Sequence, residues 1–195
     1  GVHRGFVPFD AVIALHLLAT RTGRYPRFLI HPGLIKFPFL HDLFQRLGGV
    51  IACRENADRM LASGEMVGVL PEGVHGPFRL HRDAYRVGGP WRADFARFAI
   101  RHRAPILPWV TVGSAEALPI LGRLDWRWWK RWTEWPFLPI TPTLLPIPLP
   151  TKWHMEFLPP IPPPDPAVDP AEERQQVEDL SEAVRTRVEG AMNGI

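Results

Sequence analysis

Short apolar runs and helix-period runs alternate along most of this chain, with glycine or proline at many of the junctions. That alternation is the strongest constraint on its fold. Phe9, Val12, Ile13, Leu15, Leu17 and Leu18 recur at helical spacing, predicting an amphipathic helix over 9–21. After the breakers Gly23 and Pro26, Arg27-Phe28-Leu29-Ile30-His31 reads as a short strand. Phe39, Leu40, Leu43, Phe44 and Leu47 share one face of a second helix, which Gly48-Gly49 ends before the strand Val50-Ile51-Ala52. Asn56 is suited to cap a helix running through Ser63, with Ala57, Met60 and Leu61 turned inward. A strand over 66–70, a helix over 93–102 and a strand over 105–112 continue the pattern. Strands separated by helices favour parallel pairing with helices on the faces. The expected fold is therefore an α/β layered domain, a central, largely parallel sheet flanked by helices. Its chemistry belongs in the loops at strand ends.

The second half is richer in proline. Residues 135–150 are apolar but too proline-rich for a helix, and Lys152 to Leu158 suits a closing strand. A Pro-rich linker over 159–166 precedes Asp169-Pro170-Ala171-Glu172, which combines a cap, a first-turn proline and a reciprocal glutamate. The helix that follows carries Val177, Leu180, Val184, Val188 and Ala191 on one stripe. The expected division is a domain over 1–160 and a linker with a C-terminal amphipathic helix over 161–195.

Bulk properties exclude several classes. A length of 195 residues allows a sizeable core, and 46% hydrophobic residues argue against disorder. The single Cys53 rules out an internal disulfide framework, fits a reducing compartment, and reads as a small core residue. A net charge of +3 is too mild a field to imply nucleic acid. No run of 18 apolar residues marks a transmembrane helix. The chain starts almost on its most chemical stretch, with no apolar strand ahead of it. It reads as a fragment lacking an N-terminal strand, with room for a membrane anchor before that.

The chemical stretch is Gly1-Val2-His3-Arg4-Gly5-Phe6-Val7-Pro8-Phe9-Asp10. Pro8 suits the first helical position, which puts Asp10 in the first turn, where a negative charge suits the helix dipole. A loop can fold His3 back so that one imidazole nitrogen donates to Asp10, leaving the other free to take a proton from a hydroxyl. A surface histidine beside a helix-starting aspartate is the plainer reading of these ten residues alone. Three further blocks follow in order: Gly48-Gly49-Val50-Ile51-Ala52-Cys53-Arg54, then Val67-Gly68-Val69-Leu70-Pro71-Glu72-Gly73, then Ala104-Pro105-Ile106-Leu107-Pro108-Trp109-Val110.

Together the four blocks resemble the His/Asp, Gly-x-x-Phe-Ile-x-Arg, Phe-Pro-Glu-Gly and Pro-Ile-x-Pro motifs of the glycerolipid (lysophospholipid) acyltransferase superfamily. The resemblance runs from residue 1 to about residue 160 and implies a glycerol-3-phosphate acyltransferase-like fold. It implies that His3 is the general base and Asp10 its orienter, so that a lipid hydroxyl attacks a thioester directly with no covalent intermediate. It also implies substrate-binding roles for Arg54, Glu72 and Gly73. Arg54 would hold an acceptor phosphate, and Gly73 would supply the unusual backbone angle of the turn. The co-substrate is acyl-CoA or an acyl-carrier protein, and no cofactor is needed.

Two departures refine this. Six residues separate His3 from Asp10 where four are usual, which looks like the branch similar to monoacylglycerol and diacylglycerol acyltransferases. The arginine that usually follows Pro-Glu-Gly-Thr is His75 here, and Arg79, four residues on, is the substitute available. The acceptor is thereby left open between phosphorylated and neutral glycerolipids or other lipid alcohols.

Residues 123–135 hold five of the eight tryptophans, Trp126, Trp128, Trp129, Trp132 and Trp135, interleaved with Arg and Lys. Such a stretch suits the headgroup layer of a membrane, with rings at the acyl boundary and cations on phosphates. A Trp-rich core helix is the alternative, since Trp128, Trp132 and Trp135 share a face. Stacking on single-stranded nucleic acid is a poorer fit at this charge. The remaining histidines have no metal-ligand spacing, and Gly88-Gly89 does not form a phosphate-binding loop. Ser63 and Ser114 lack a Gly-x-Ser-x-Gly elbow, which argues against a hydrolase.

The expected protein is an O-acyltransferase peripheral to the cytoplasmic face of a membrane. Its acceptor is a glycerolipid or lipid alcohol. The alternative is a non-catalytic lipid-binding relative of the same fold.

Overall fold

The computed structural model describes residues 1–2, 4–5, 7–36, 38–87, 91–143 and 147–195. Helix α1 (Phe9–Thr22) opens directly after Pro8, which stands at its cap, and stops where Gly23 turns left-handed and donates to the Ala19 carbonyl. Strand β1 (Arg27–Ile30), helix α2 (Pro38–Arg46), strand β2 (Gly49–Ile51), helix α3 (Arg54–Ala62) and strand β3 (Val67–Gly68) follow. The three strands form a parallel sheet in the order β2-β1-β3, with Phe28 of β1 opposite both Gly49 and Gly68. Parallel pairing follows from the helical crossovers, as the alternation requires.

Two local expectations are corrected. Helix α3 begins two residues before Asn56, with the extended Cys53 at its cap. The Asn56 amide donates instead to the Ile51 carbonyl at 2.9 Å, tying the helix back to β2. Cys53 is exposed rather than a core residue, because the strand-to-helix junction it occupies lies at the surface.

After helix α4 (Asp94–Arg101), strand β4 (Trp109–Val112) pairs not with the parallel sheet but antiparallel with a later strand. A short helix α5 (Ser114–Ala117) leads into strand β5 (Gly122–Leu124), helix α6 (Arg127–Thr133) and strand β6 (Leu138–Ile140). Strands β5 and β6 form their own antiparallel pair, with Pro139 opposite Arg123. Proline is tolerated there because each strand of a two-stranded ribbon has a free edge. Strand β7 (His154–Phe157) closes against β4, Trp109 opposite Phe157 and Val112 opposite His154.

Helix α7 (Pro170–Gly194) starts as its cap residues dictate, the Asp169 carboxylate accepting from the Glu172 N–H at 3.3 Å. Its buried stripe is Val177, Leu180, Val184 and Val188, ending on Met192 with Ala191 only half-buried. The first part packs on Ala96, Ala99 and Ile100 of α4 and on Ile161. Val188 and Met192 pack on Val110 and on Val2, which is fully buried. Each such branched side chain contributes about 1.5–3 kcal/mol on burial. The C-terminal helix thus holds down the N-terminal segment that carries the His/Asp block.

Candidate active site

Asp10 stands in the first turn of α1 and is completely buried. Its Oδ1 accepts from the Ala11 N–H at 2.8 Å and its Oδ2 from the Arg4 N–H at 3.3 Å. Backbone donors at a helix N-terminus fix a carboxylate in direction as well as in charge preference. His3 lies outside the described residues, and Arg4 is its neighbour in the chain.

Glu72 precedes a tight turn at Gly73, whose φ of 56° is the left-handed value only glycine adopts at little cost. The turn buries the Glu72 carboxylate, and two guanidinium groups converge on it. Arg4, its side chain fully buried, engages both oxygens: Nη1 meets Oε2, and Nη2 donates to Oε1 at 3.2 Å. Arg79 donates from Nη2 to Oε1 at 3.1 Å and from Nη1 to the Arg86 carbonyl at 2.9 Å. Burial holds the Arg79 pKa below the ordinary arginine value, with the Glu72 charge opposing that shift in part. The carboxylate is the centre of this unit, since removing Glu72 would leave two guanidinium groups without it, Arg4's fully buried.

The structure thus brings Asp10, Glu72, Gly73 and Arg79 to one locality. Arg4, which carries no expected site role of its own, joins them. Its only signal in the sequence was adjacency to His3. The other two expected binding residues lie further out. Arg54 is exposed in the first turn of α3, where its Nη2 is 3.4 Å from Asp94 Oδ1. Asp94 also pairs with Arg92 at 3.7 Å, and the Arg92 N–H donates to the Pro71 carbonyl at 3.0 Å. Arg54 therefore reaches the Pro-Glu-Gly turn through two intermediaries. His75 ends the 3-10 turn Gly73–His75 and is exposed.

An apolar cavity of about 150 Å³ is lined by chain neighbours of both carboxylates, Pro8 and Ala11 near Asp10 and Leu70 and Val74 near Glu72. Ala11, Val12 and Leu15 of α1 line it together with Phe28, Phe44, Phe78 and Trp135. Ala11 follows Asp10 directly, so the cavity starts one residue from the polar cluster. Leu47 of its lining is itself 44% exposed, which brings the cavity to the surface.

The tryptophan stretch divides in two. Trp126, Trp128 and Trp132 are exposed at 51%, 59% and 42%. Trp128 stacks on Trp132 with centroids 5.8 Å apart. Trp129 and Trp135 turn inward, half-buried, and Trp135 meets Phe78 at 5.4 Å. Lys36 pins the end of α6 to the body through Glu134 at 2.5 Å. Among the described residues, no cluster of three or more His, Cys, Asp or Glu is suited to a metal ion. Among them too, no helix is long and apolar enough to cross a membrane.

Residues 1–112, which carry all four motif blocks, match the family model described as Acyltransferase. The chain belongs to the acyltransferase family. An uncharacterized protein of Mycobacterium tuberculosis and one of Mycobacterium bovis are each 33% identical to it over 96% of its length. An uncharacterized protein of Mycobacterium leprae is 32% identical over the same share. This acyltransferase chain spans about half the length of these curated relatives, 54% of the first two and 53% of the third. No solved structure matches it.

Proposed function

We propose that this acyltransferase moves a fatty acyl group from a thioester, acyl-CoA or an acyl-carrier protein, to the hydroxyl of a glycerolipid or other lipid alcohol. The observation that carries the reading is the apolar cavity lined from Ala11 onward, Ala11 being the residue that follows the buried Asp10. In this mechanism His3, oriented by Asp10, takes the hydroxyl proton as the oxygen attacks the thioester carbonyl. The tetrahedral intermediate collapses, the C–S bond breaks, and the imidazolium returns the proton to the departing thiolate. The products are an ester and a free thiol. The acyl chain lies in the cavity among Val12, Leu15, Phe28 and Phe78.

His75 in place of the usual arginine, with Arg79 engaged by Glu72, favours a neutral acceptor of the monoacylglycerol or diacylglycerol kind. Exposed Trp126, Trp128 and Trp132, with Arg127 and Arg131 beside them, support docking on an anionic membrane surface. The test is transfer of radiolabelled long-chain acyl-CoA in the presence of vesicles. The acceptors offered are lysophosphatidic acid, monoacylglycerol, diacylglycerol and a long-chain alcohol. Label entering one acceptor, and lost in His3→Ala, is the expected result. No transfer to any acceptor, with lipid binding retained, would overturn catalysis in favour of a lipid-binding relative.

A further inference from the structure

The Pro-Glu-Gly glutamate in this chain is already engaged. Both Glu72 oxygens receive guanidinium N–H groups: Arg4 engages the two of them and Arg79 donates to Oε1, with the Arg4 and Glu72 side chains buried and Arg79 partly exposed. The same Arg4 that holds Glu72 by its side chain holds Asp10 by its backbone N–H. One residue therefore links the two motif blocks that lie 68 positions apart in the chain. The linkage continues outward. Arg79 grips the Arg86 carbonyl. The neighbouring Tyr85 hydroxyl donates to the Glu116 carboxylate and accepts from the Gly113 N–H at 2.8 Å.

We propose that Arg4 and Glu72 form an internal latch that positions the His3–Asp10 loop for proton transfer, with Glu72 acting through Arg4 rather than on the acceptor. The inference rests on the acyl-transfer reading above and assigns positioning roles within that site. Its physical basis is geometric. Four residues, Gly5 and Pro8 among them, join Arg4 to α1. His3 precedes Arg4 directly in the chain, so whatever anchors Arg4 also restrains the backbone that carries His3. A bidentate arginine–carboxylate pair fixes both distance and plane, which a single hydrogen bond does not. Arg79 braces the carboxylate through Oε1, and Tyr85 anchors the loop whose carbonyl Arg79 holds.

The latch makes a prediction that acceptor binding by Glu72 does not. Glu72→Gln keeps the shape and removes the charge. Steady-state constants for donor and acceptor are measured on the wild type, Glu72→Gln, Arg4→Lys, Arg4→Gln and the double variant Arg4→Lys with Glu72→Gln. Far-ultraviolet dichroism and a thermal melt establish that each is folded.

The expected result is a fall in kcat on the order of 10- to 100-fold in Glu72→Gln, with the acceptor KM within about twofold. Arg4→Lys should retain more activity than Arg4→Gln. The double variant should be little worse than the worse single variant, because the latch is already open. A rise in acceptor KM with kcat retained would overturn the proposal and return Glu72 to the acceptor. Multiplicative losses in the double variant would overturn it too. If the buried variants do not fold, Arg79→Lys, at the rim of the cluster, decides by the same split between kcat and KM. A wild type with no transferase activity refutes the acyl-transfer reading itself, whereas an active wild type with indifferent variants refutes only the latch.

Discussion

If the cavity beside Asp10 takes the acyl chain, filling it should change which chains the enzyme accepts without abolishing turnover. Val12 is the residue to change. It is half-buried, lines the cavity, and sits two positions after Asp10 on α1. Val12→Phe adds four carbons to the side chain, occupying the room of about two to three methylenes. At about 0.8 kcal/mol per methylene denied burial, the loss for a long chain is about 2 kcal/mol, or roughly 30-fold in kcat/KM. A chain too short to reach Val12 loses nothing. The assay is kcat/KM for octanoyl-, lauroyl-, palmitoyl- and stearoyl-CoA on wild type and variant, with one acceptor at saturation. The expected profile shifts toward short donors, with octanoyl-CoA changed by less than about twofold. An equal loss at every chain length would mean that the substitution damages the helix. No change at any length would mean that the chain lies elsewhere.

Further outcomes follow from other parts of the molecule. Gly113 has a φ of 100°, and a Cβ there would fall 2.0 Å from the Lys152 carbonyl oxygen. Gly113→Ala should therefore cost at least about 2 kcal/mol and lower Tm by roughly 4–8 °C, read by calorimetry. The Asp58 carboxyl is held below its ordinary value, chiefly by the hydrogen bond from His102 at 2.8 Å, with Arg101 assisting. A depressed carboxyl pKa contributes stability above the unfolded-state value of 3.8, lost as pH falls through the folded-state value. Asp58→Asn should then lower the urea midpoint at neutral pH and converge on the wild type at about pH 2; a constant difference would refute the linkage. Trp128→Ser combined with Trp132→Ser should weaken flotation with anionic vesicles by about tenfold or more while leaving the melt unchanged. Undiminished flotation would remove α6 from the membrane face.

The order of the elements was legible in the sequence because their signals are local. The helical spacing of Phe9, Val12 and Leu15, the cap at Asp169 and the glycine after Pro71-Glu72 act over a few residues, and those elements formed where they point; α5, β5 and β6 carry no such signal and were not expected. The family was legible for a related reason: four short blocks in a fixed order are a property of the chain itself. Partnership was not. Nothing in the local pattern says that β4 leaves the parallel sheet to pair with β7, or that Trp128 faces outward while Trp135 turns in toward Phe78. The same holds for the site. Asp10 and Glu72 were recognisable by motif, but Arg4 was only a charged residue beside a histidine. It became central when folding closed 68 positions of chain and buried its guanidinium against Glu72. A buried cation needs a partner, and only the packed tertiary structure determines which carboxylate is within reach.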